Sequence, residues 1–395
     1  MIVNRNQGVE EPMREPFGCT LANNAMVVDH GGRYLPCCRF IEDSDAARHC
    51  SASSAEPGFS TQLFSEIRHS LNRGVFPAGC KNCQSEEAQG LQSLRIKRKD
   101  IFKAAAGELV DLELFVGSLC NMKCRMCDPN HSSLWSRELG EPMNSGYDPV
   151  AFFEKIDLHN LQHLRLLGGE TLINKDFFRI LDHVDRQSRS SQITLSFATN
   201  GSREIDDKIK SYLLKFKSVE VDFSIDGTGA LAEYIRPGVA WSKIEANISG
   251  WVDFKKQTTL PMNLNVHTTI QSLNAHAIFD IVDFCIKHRL SWSHRVLTEP
   301  NELSWLRLPI SVREEICRMN NSALDKNRVQ EFFASRNHMS LFKILTQSFP
   351  GLEIKDSKEL ISYLEFWDSR WKTSWRSVMP SFWQHSFCQS AALEG

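Results

Sequence analysis

From residue 109 to about residue 300 the chain alternates short apolar segments with amphipathic stripes, and this rhythm restricts its fold more than any other feature. The strand candidates are DLELFVGS (111–118), LQHLRLLGG (161–169), QITLSFATNG (192–201), SVEVDFSIDG (218–227), NLNVHTTIQS (263–272) and LSWSHRVL (290–297). Helical stripes lie between them: Phe177, Ile180, Leu181 and Val184, then Ile205, Ile209 and Leu213. Such alternation predicts an α/β fold, a parallel sheet covered by helices. Six strand–helix units fall short of the eight of a complete barrel, so the expectation is an open, partial (β/α)6 TIM-like barrel.

The flanking regions read differently. Residues 1–108 are irregular and cysteine-rich, with Gly31-Gly32 as a turn between AMVV and RYLP, a hairpin pattern. A helix is expected over 61–72 from Leu63, Ile67 and Leu71, after a connecting loop HCSASSAEPG at 49–58. Residues 301–395 lose the strand signal and form a helical extension. Its aromatics Phe366, Trp367, Trp371, Trp375, Phe382 and Trp383 fit packing better than a ligand cage. The terminal Leu393-Glu394-Gly395 reads as an appended tail.

A formal net charge of −2 over 395 residues gives no footprint for nucleic acid or an anionic membrane. The basic run Arg95, Lys97, Arg98 and Lys99 is followed by Asp100 and reads as a solvated helix face. No apolar stretch reaches membrane-spanning length, and MIVNRNQGVEEP lacks a secretion core, so a cytoplasmic setting is expected. Twelve cysteines in a reducing compartment point to metal or redox chemistry rather than disulfides. Eight are clustered, leaving Cys50, Cys285, Cys317 and Cys388 scattered.

The segment GSLCNMKCRMCDP sets Cys120, Cys124 and Cys127 just after the first strand of the barrel region, at the end where sites in such folds are built. Three thiolates in one tight loop can hold three irons of a four-iron cluster and leave the fourth open. Zinc or a simple electron-transfer cluster would want a fourth ligand, and the loop supplies none.

Cys-x3-Cys-x2-Cys in this position resembles the signature of the radical S-adenosylmethionine (SAM) superfamily. The resemblance implies a [4Fe-4S] cluster whose open iron binds SAM, reductive cleavage to methionine and a 5′-deoxyadenosyl radical, and hydrogen abstraction from substrate. Met126 departs from the pattern, standing where many members carry an aromatic residue; it can still pack against adenine. Gly168, Gly169 and Glu170 resemble the family's GGE motif, which contacts the SAM amino group. Ser224 and Asp226 resemble ribose-binding positions, and Arg236 in YIRPG resembles an arginine that pairs with the SAM carboxylate. Thr199 and Asn200 close the third strand and are expected to line the same cavity. Capping or turn roles are the competing reading for these last positions.

Ahead of the barrel, Cys19, Cys37-Cys38 and the pair Cys80 and Cys83 resemble the auxiliary-cluster modules called SPASM and twitch domains. Four ligands, Cys19, Cys37, Cys80 and Cys83, match the shorter twitch type and imply an auxiliary iron–sulfur cluster, [4Fe-4S] in kind. The module usually follows the barrel; here it precedes it, as in one subgroup whose linker KNCQSEEAQGLQSLRIKRKD also resembles this chain. Cys38 could replace Cys37, and a zinc knuckle would satisfy the same four thiols. Cys285 and Cys317 fall on helical stripes and read as small buried hydrophobes, with hydrogen-atom donation as the minor alternative.

The resemblance implies an enzyme that modifies a C–H position, with a peptide substrate of ribosomal origin and an electron donor such as flavodoxin or ferredoxin. A dehydrogenase of a small sugar or cyclitol is the alternative within the family. A non-catalytic iron–sulfur or zinc protein is the alternative outside it.

Overall fold

The computed structural model describes residues 18–41, 61–90, 92–99, 105–141, 147–324, 326–334 and 358–383. The loop at 49–58, Asp100, Cys50, Cys388, the N-terminal stretch and the terminal tripeptide lie outside the described residues.

Eight strands form one sheet: β1 (Ala25–Val28), β2 (Tyr34–Leu35), β3 (Asp111–Phe115), β4 (His163–Leu167), β5 (Thr194–Thr199), β6 (Ser218–Ser224), β7 (Met262–Ile270) and β8 (Ser291–Val296). Their spatial order is β2-β1-β3-β4-β5-β6-β7-β8. Every neighbouring pair is parallel except the β1–β2 hairpin. The six strands read from the barrel region are β3 to β8 in sequential order, each crossing to the next through helical structure. That order is compatible with a partial barrel.

The hairpin around Gly31-Gly32 is present, and β1 pairs with β3, Ala25 opposite Asp111. The N-terminal segment therefore extends the main sheet. Asn24 pins this join, its amide donating to the carbonyls of Ala105 at 2.7 Å and Glu108 at 3.0 Å.

Alternation within the strands separates two faces. Leu112 and Leu114, Leu164 and Leu166, and Val219, Val221 and Phe223 are buried on the helix-covered face. The helix Lys175–Arg186 closes on it with Phe177, Ile180, Leu181 and Val184, and Trp251 of the helix Trp241–Gln257 packs against Phe197 and Phe223. The opposite face is polar, half-buried at Glu113, Arg165, Asp222, His267 and Ser293 and buried at Asn265. A parallel sheet covered equally on both faces would be apolar on both.

Among the described residues beyond β8 all regular structure is helical, including Ile310–Leu324 and Lys358–Trp371. Trp367, Trp375 and Trp383 are buried, as a packing role requires, whereas Phe366 departs from that expectation and is exposed. Cys285 and Cys317 are buried. The basic run is not uniformly solvated: Arg95 turns inward and forms a 2.5 Å ion pair with Glu87, because the short helix Leu94–Lys97 packs over the cysteine-rich segment.

Candidate functional site

The chain leaves β3 at Phe115 and runs through Cys120, Cys124 and Cys127 before the helix Ser133–Leu139. Backbone bonds fix this loop on three sides. Gly169 N donates to Gly117 O at 2.9 Å and Glu170 N to Leu119 O at 2.8 Å. Arg125 N donates to Ile235 O at 2.9 Å and Lys123 N to Pro237 O at 3.0 Å. Indole Nε1 of Trp135 donates to Cys124 O at 2.8 Å. Gly168-Gly169 cannot be replaced freely, since a Cβ would lie 2.6 Å from Gly117 O at the first and 2.6 Å from Ser118 O at the second. Two glycines are what let β4 end in backbone contact with the cysteine loop.

All three cysteines of this loop line one cavity of about 200 Å³. Gly168 and Gly169, Thr199 and Asn200, Ser224 and Arg236 line it too. Strands stand about 4.8 Å apart, so β3 and β7 in a flat sheet would be separated by about 19 Å. Thr269 of β7 nevertheless shares the cavity with the loop after β3, which crosses the strand ends to reach Ile235 and Pro237 and is compatible with a curled sheet.

Two expected residues stand behind the wall. Glu170 is fully buried and accepts from Thr199 Oγ1 at 2.7 Å, Asn200 N at 2.6 Å and Leu172 N at 3.2 Å. Burial pushes its carboxyl up, partly opposed by those donors. Asp226 accepts from Arg236 Nε at 2.7 Å and Nη2 at 2.6 Å, and from Thr269 N at 2.7 Å. Arg236 in turn directs Nη1 to Cys124 Sγ at 3.5 Å.

Burial pushes all three loop thiols up, Cys124 to about 11. Such thiols ionise readily only against a strong local positive charge, and metal coordination deprotonates them outright. Soft sulfur donors facing one cavity fit an iron–sulfur cluster.

The N-terminal cysteines also come together. Cys19 senses Cys83, Cys37 senses Cys19 and Cys80, and Cys80 senses Cys19 and Cys83. Burial dominates in each, taking Cys80 up to about 12. Cys38, beside Cys37, also lies near Glu113 and Arg165 of the sheet and near Arg98. Among the described residues no three Cys, His, Asp or Glu side chains close on a position for a single metal ion.

Met122, Met126, His131 and Ala198 complete the cavity wall together with Thr269. Of these only Met126 was expected. His131 is held by Asp128 at 2.9 Å and lies 4.8 Å from the His30 ring on the hairpin turn. The polar face of the sheet forms a linked set: Arg165 pairs with Asp222 at 2.5 Å, and Asn265 joins Asp222 to Ser293, which meets His267. Its signal was present in the strands, as polar residues at every second position.

Residues 105–235 match the family described as a 4Fe-4S single cluster domain. Among solved structures, the chain is similar to native anSMEcpe with bound AdoMet, at 19% identity and a TM-score of 0.39, covering 52% of this chain and 58% of that one. It is also similar to Streptococcus suis SuiB bound to precursor peptide SuiA, at 16% identity and a TM-score of 0.35, covering 65% and 60%. The chain therefore spans about three fifths of the length of these proteins. No curated protein matches it. No helix among the described residues is long and apolar enough to cross a membrane.

Proposed function

We propose that the protein is a radical SAM enzyme that abstracts hydrogen from a C–H bond, with a ribosomally made peptide as substrate. The observation that carries this reading is the shared cavity: three thiols of one loop open onto the same space as the Gly168-Gly169 backbone, Asn200, Ser224 and Arg236. When bound, a [4Fe-4S] cluster on Cys120, Cys124 and Cys127 with SAM at its open iron supplies reductive SAM cleavage and the hydrogen-abstracting radical.

The chain's own residues bind and orient. Gly168-Gly169 lets the end of β4 close on the backbone of the cysteine loop, which sets the thiols beside this wall. Ser224 and Asn200 offer hydroxyl and amide groups for a ribose and an amino acid moiety. Arg236, aimed by Asp226, supplies the cationic group for a carboxylate. Glu170 fixes the end of β5 and with it Thr199 and Asn200.

Cys19, Cys37, Cys80 and Cys83 would hold an auxiliary iron–sulfur cluster, which would supply an electron acceptor or a substrate-binding metal, and a flavodoxin- or ferredoxin-type protein would be the electron donor. The half-buried polar face gives an extended peptide a surface leading toward the cavity.

The test is anaerobic reconstitution with iron and sulfide, then SAM and a reductant, with 5′-deoxyadenosine measured by mass spectrometry. Wild type should release it and the Cys120→Ala, Cys124→Ala, Cys127→Ala triple variant should not. Release by the triple variant defeats the assignment. Substrate class is read from mass changes in candidate precursor peptides; turnover of a sugar or cyclitol with no peptide response would reverse that part.

A further inference from the structure

Arg125 lies between the second and third cysteines of the loop, yet its side chain turns away from the cavity and is 0% exposed. It runs into the C-terminal segment. Nε donates to Tyr234 O at 2.9 Å, and Nη2 donates to Asp368 Oδ1 and to Thr373 Oγ1, each at 2.7 Å. The guanidinium sits 3.8 Å over the Tyr234 ring. Its main chain is held too, for the Tyr363 hydroxyl donates to Arg125 O at 2.6 Å. One residue earlier, Cys124 O receives Trp135 Nε1, and Trp135 packs edge-on against Trp367 at 4.5 Å.

Asp368 is the hub on the other side. Besides Arg125 it accepts from Thr373 Oγ1 at 2.7 Å and Trp375 N at 2.6 Å, so one carboxylate organises both the end of its helix and the turn after it. A buried guanidinium without its carboxylate is strongly unfavourable, as is the carboxylate without its guanidinium. With Lys358–Trp383 in place, Cys124 and Cys127 stand on a loop fixed from behind; were the segment to leave, Arg125 would have to reach water and the loop would lose this anchor.

Any group that binds the ordered loop more tightly than the open loop pulls the segment into place, and the reverse follows by reciprocity. We infer that docking of Lys358–Trp383 and cluster binding by Cys120, Cys124 and Cys127 form one coupled equilibrium, joined by Arg125 as a positioning residue. This rests on the cluster assignment proposed above but not on SAM chemistry.

The experiment compares hydrogen exchange in full-length protein before and after anaerobic reconstitution with ferrous iron and sulfide. Exchange across Lys358–Trp371 should slow at least tenfold on reconstitution, and should not slow in the triple cysteine variant. Iron held above the amount in that variant should leave to a chelator at least fivefold faster in Arg125→Lys, which keeps the charge but loses the planar fork. Asp368→Asn should behave the same way, and Phe366→Ala, on the exposed face of the same helix, should match wild type. Equal exchange in the apo and loaded wild type overturns the inference without need of any variant. So do wild-type iron retention in both Arg125→Lys and Asp368→Asn, or failure of the triplet to take up iron. Slowed exchange in a loaded protein that makes no 5′-deoxyadenosine would instead defeat the proposed function and leave the coupling standing.

Discussion

Asp226 offers the sharpest division between bracing and ligand binding. Its side chain is fully buried, and it accepts two bonds from Arg236 and one from Thr269 N. Replacement by Asn keeps the shape but removes the charge that holds the guanidinium. Breaking a buried ion pair from one side costs about 3–5 kcal/mol, and an amide that retains an acceptor should cost near the lower end, about 3 kcal/mol. With about 2–4 °C lost per kcal/mol in domains of roughly 150–250 residues, the melting midpoint should fall by roughly 6–12 °C. The assay is a thermal melt of the apo protein, with no iron or SAM present. Ser224→Ala is the opposite case, because Ser224 lines the cavity: its apo melt should match wild type while the loaded protein binds SAM more weakly. If apo Asp226→Asn melts with wild type and only SAM binding suffers, the bracing argument is wrong and Asp226 is a ligand contact.

Three further outcomes follow from the same geometry. Wild type should hold about eight irons, from two four-iron clusters, and Cys37→Ala should lose about half of them; Cys38→Ala should keep them all, and equal loss in both would show that their different surroundings do not select the ligand. Apo protein should lose stability as pH rises from about 9 toward 11 and 12, because Cys124 and Cys80 stay protonated in the fold after the unfolded thiols, ordinarily near 9.0, have ionised; urea midpoints at pH 8 and 10 test this, and a rise with pH contradicts it. Gly169→Ala should destabilise the apo protein by about 1–3 kcal/mol, since its Cβ meets backbone carbonyl oxygens that cannot swing aside; a neutral substitution in denaturant titration would show that β4 need not touch the loop.

The strands were legible because apolar runs ended in glycine-containing turns, and the hairpin because Gly31-Gly32 separates two short apolar runs. Its pairing with β3 was not, since a strand's neighbour across more than eighty residues leaves no local mark. The polar face was written into the strands as Glu113, Arg165, Asp222 and His267, but each hid inside a segment read for its leucines and valines. Adjacent Cys37 and Cys38 look equivalent in sequence, and only the fold gives them different surroundings, Cys19 and Cys80 near the first and Glu113 and Arg165 near the second. Arg125 was invisible for a stronger reason: its partner Asp368 is 243 positions away. The expected cavity residues split along a physical line, with glycines, hydroxyls and amides on the wall and Glu170 and Asp226 behind it.

That split bears on what the cavity can hold. No carboxylate lines it among the described residues; its charged or chargeable lining is Arg236, His131 and the three thiols. Glu170 and Asp226 both lie within reach of this wall, yet each spends its lone pairs on donors of the neighbouring strand end, Glu170 on Thr199 and Asn200, Asp226 on Thr269 and Arg236. The cavity is left with no carboxylate of its own among the described residues, which suits an occupant that carries negative charge. Three thiolates and a ligand carboxylate would repel a carboxylate aimed into the same space, at a strength that grows as water is excluded. They would be favoured by one guanidinium directed at Cys124 Sγ from 3.5 Å. Arg236→Gln, which keeps a donor but not the charge, should therefore weaken cluster retention and SAM binding together, most at low ionic strength. Loss of SAM binding with cluster retention unchanged would mean the arginine serves only the ligand and that the thiols are balanced by something else.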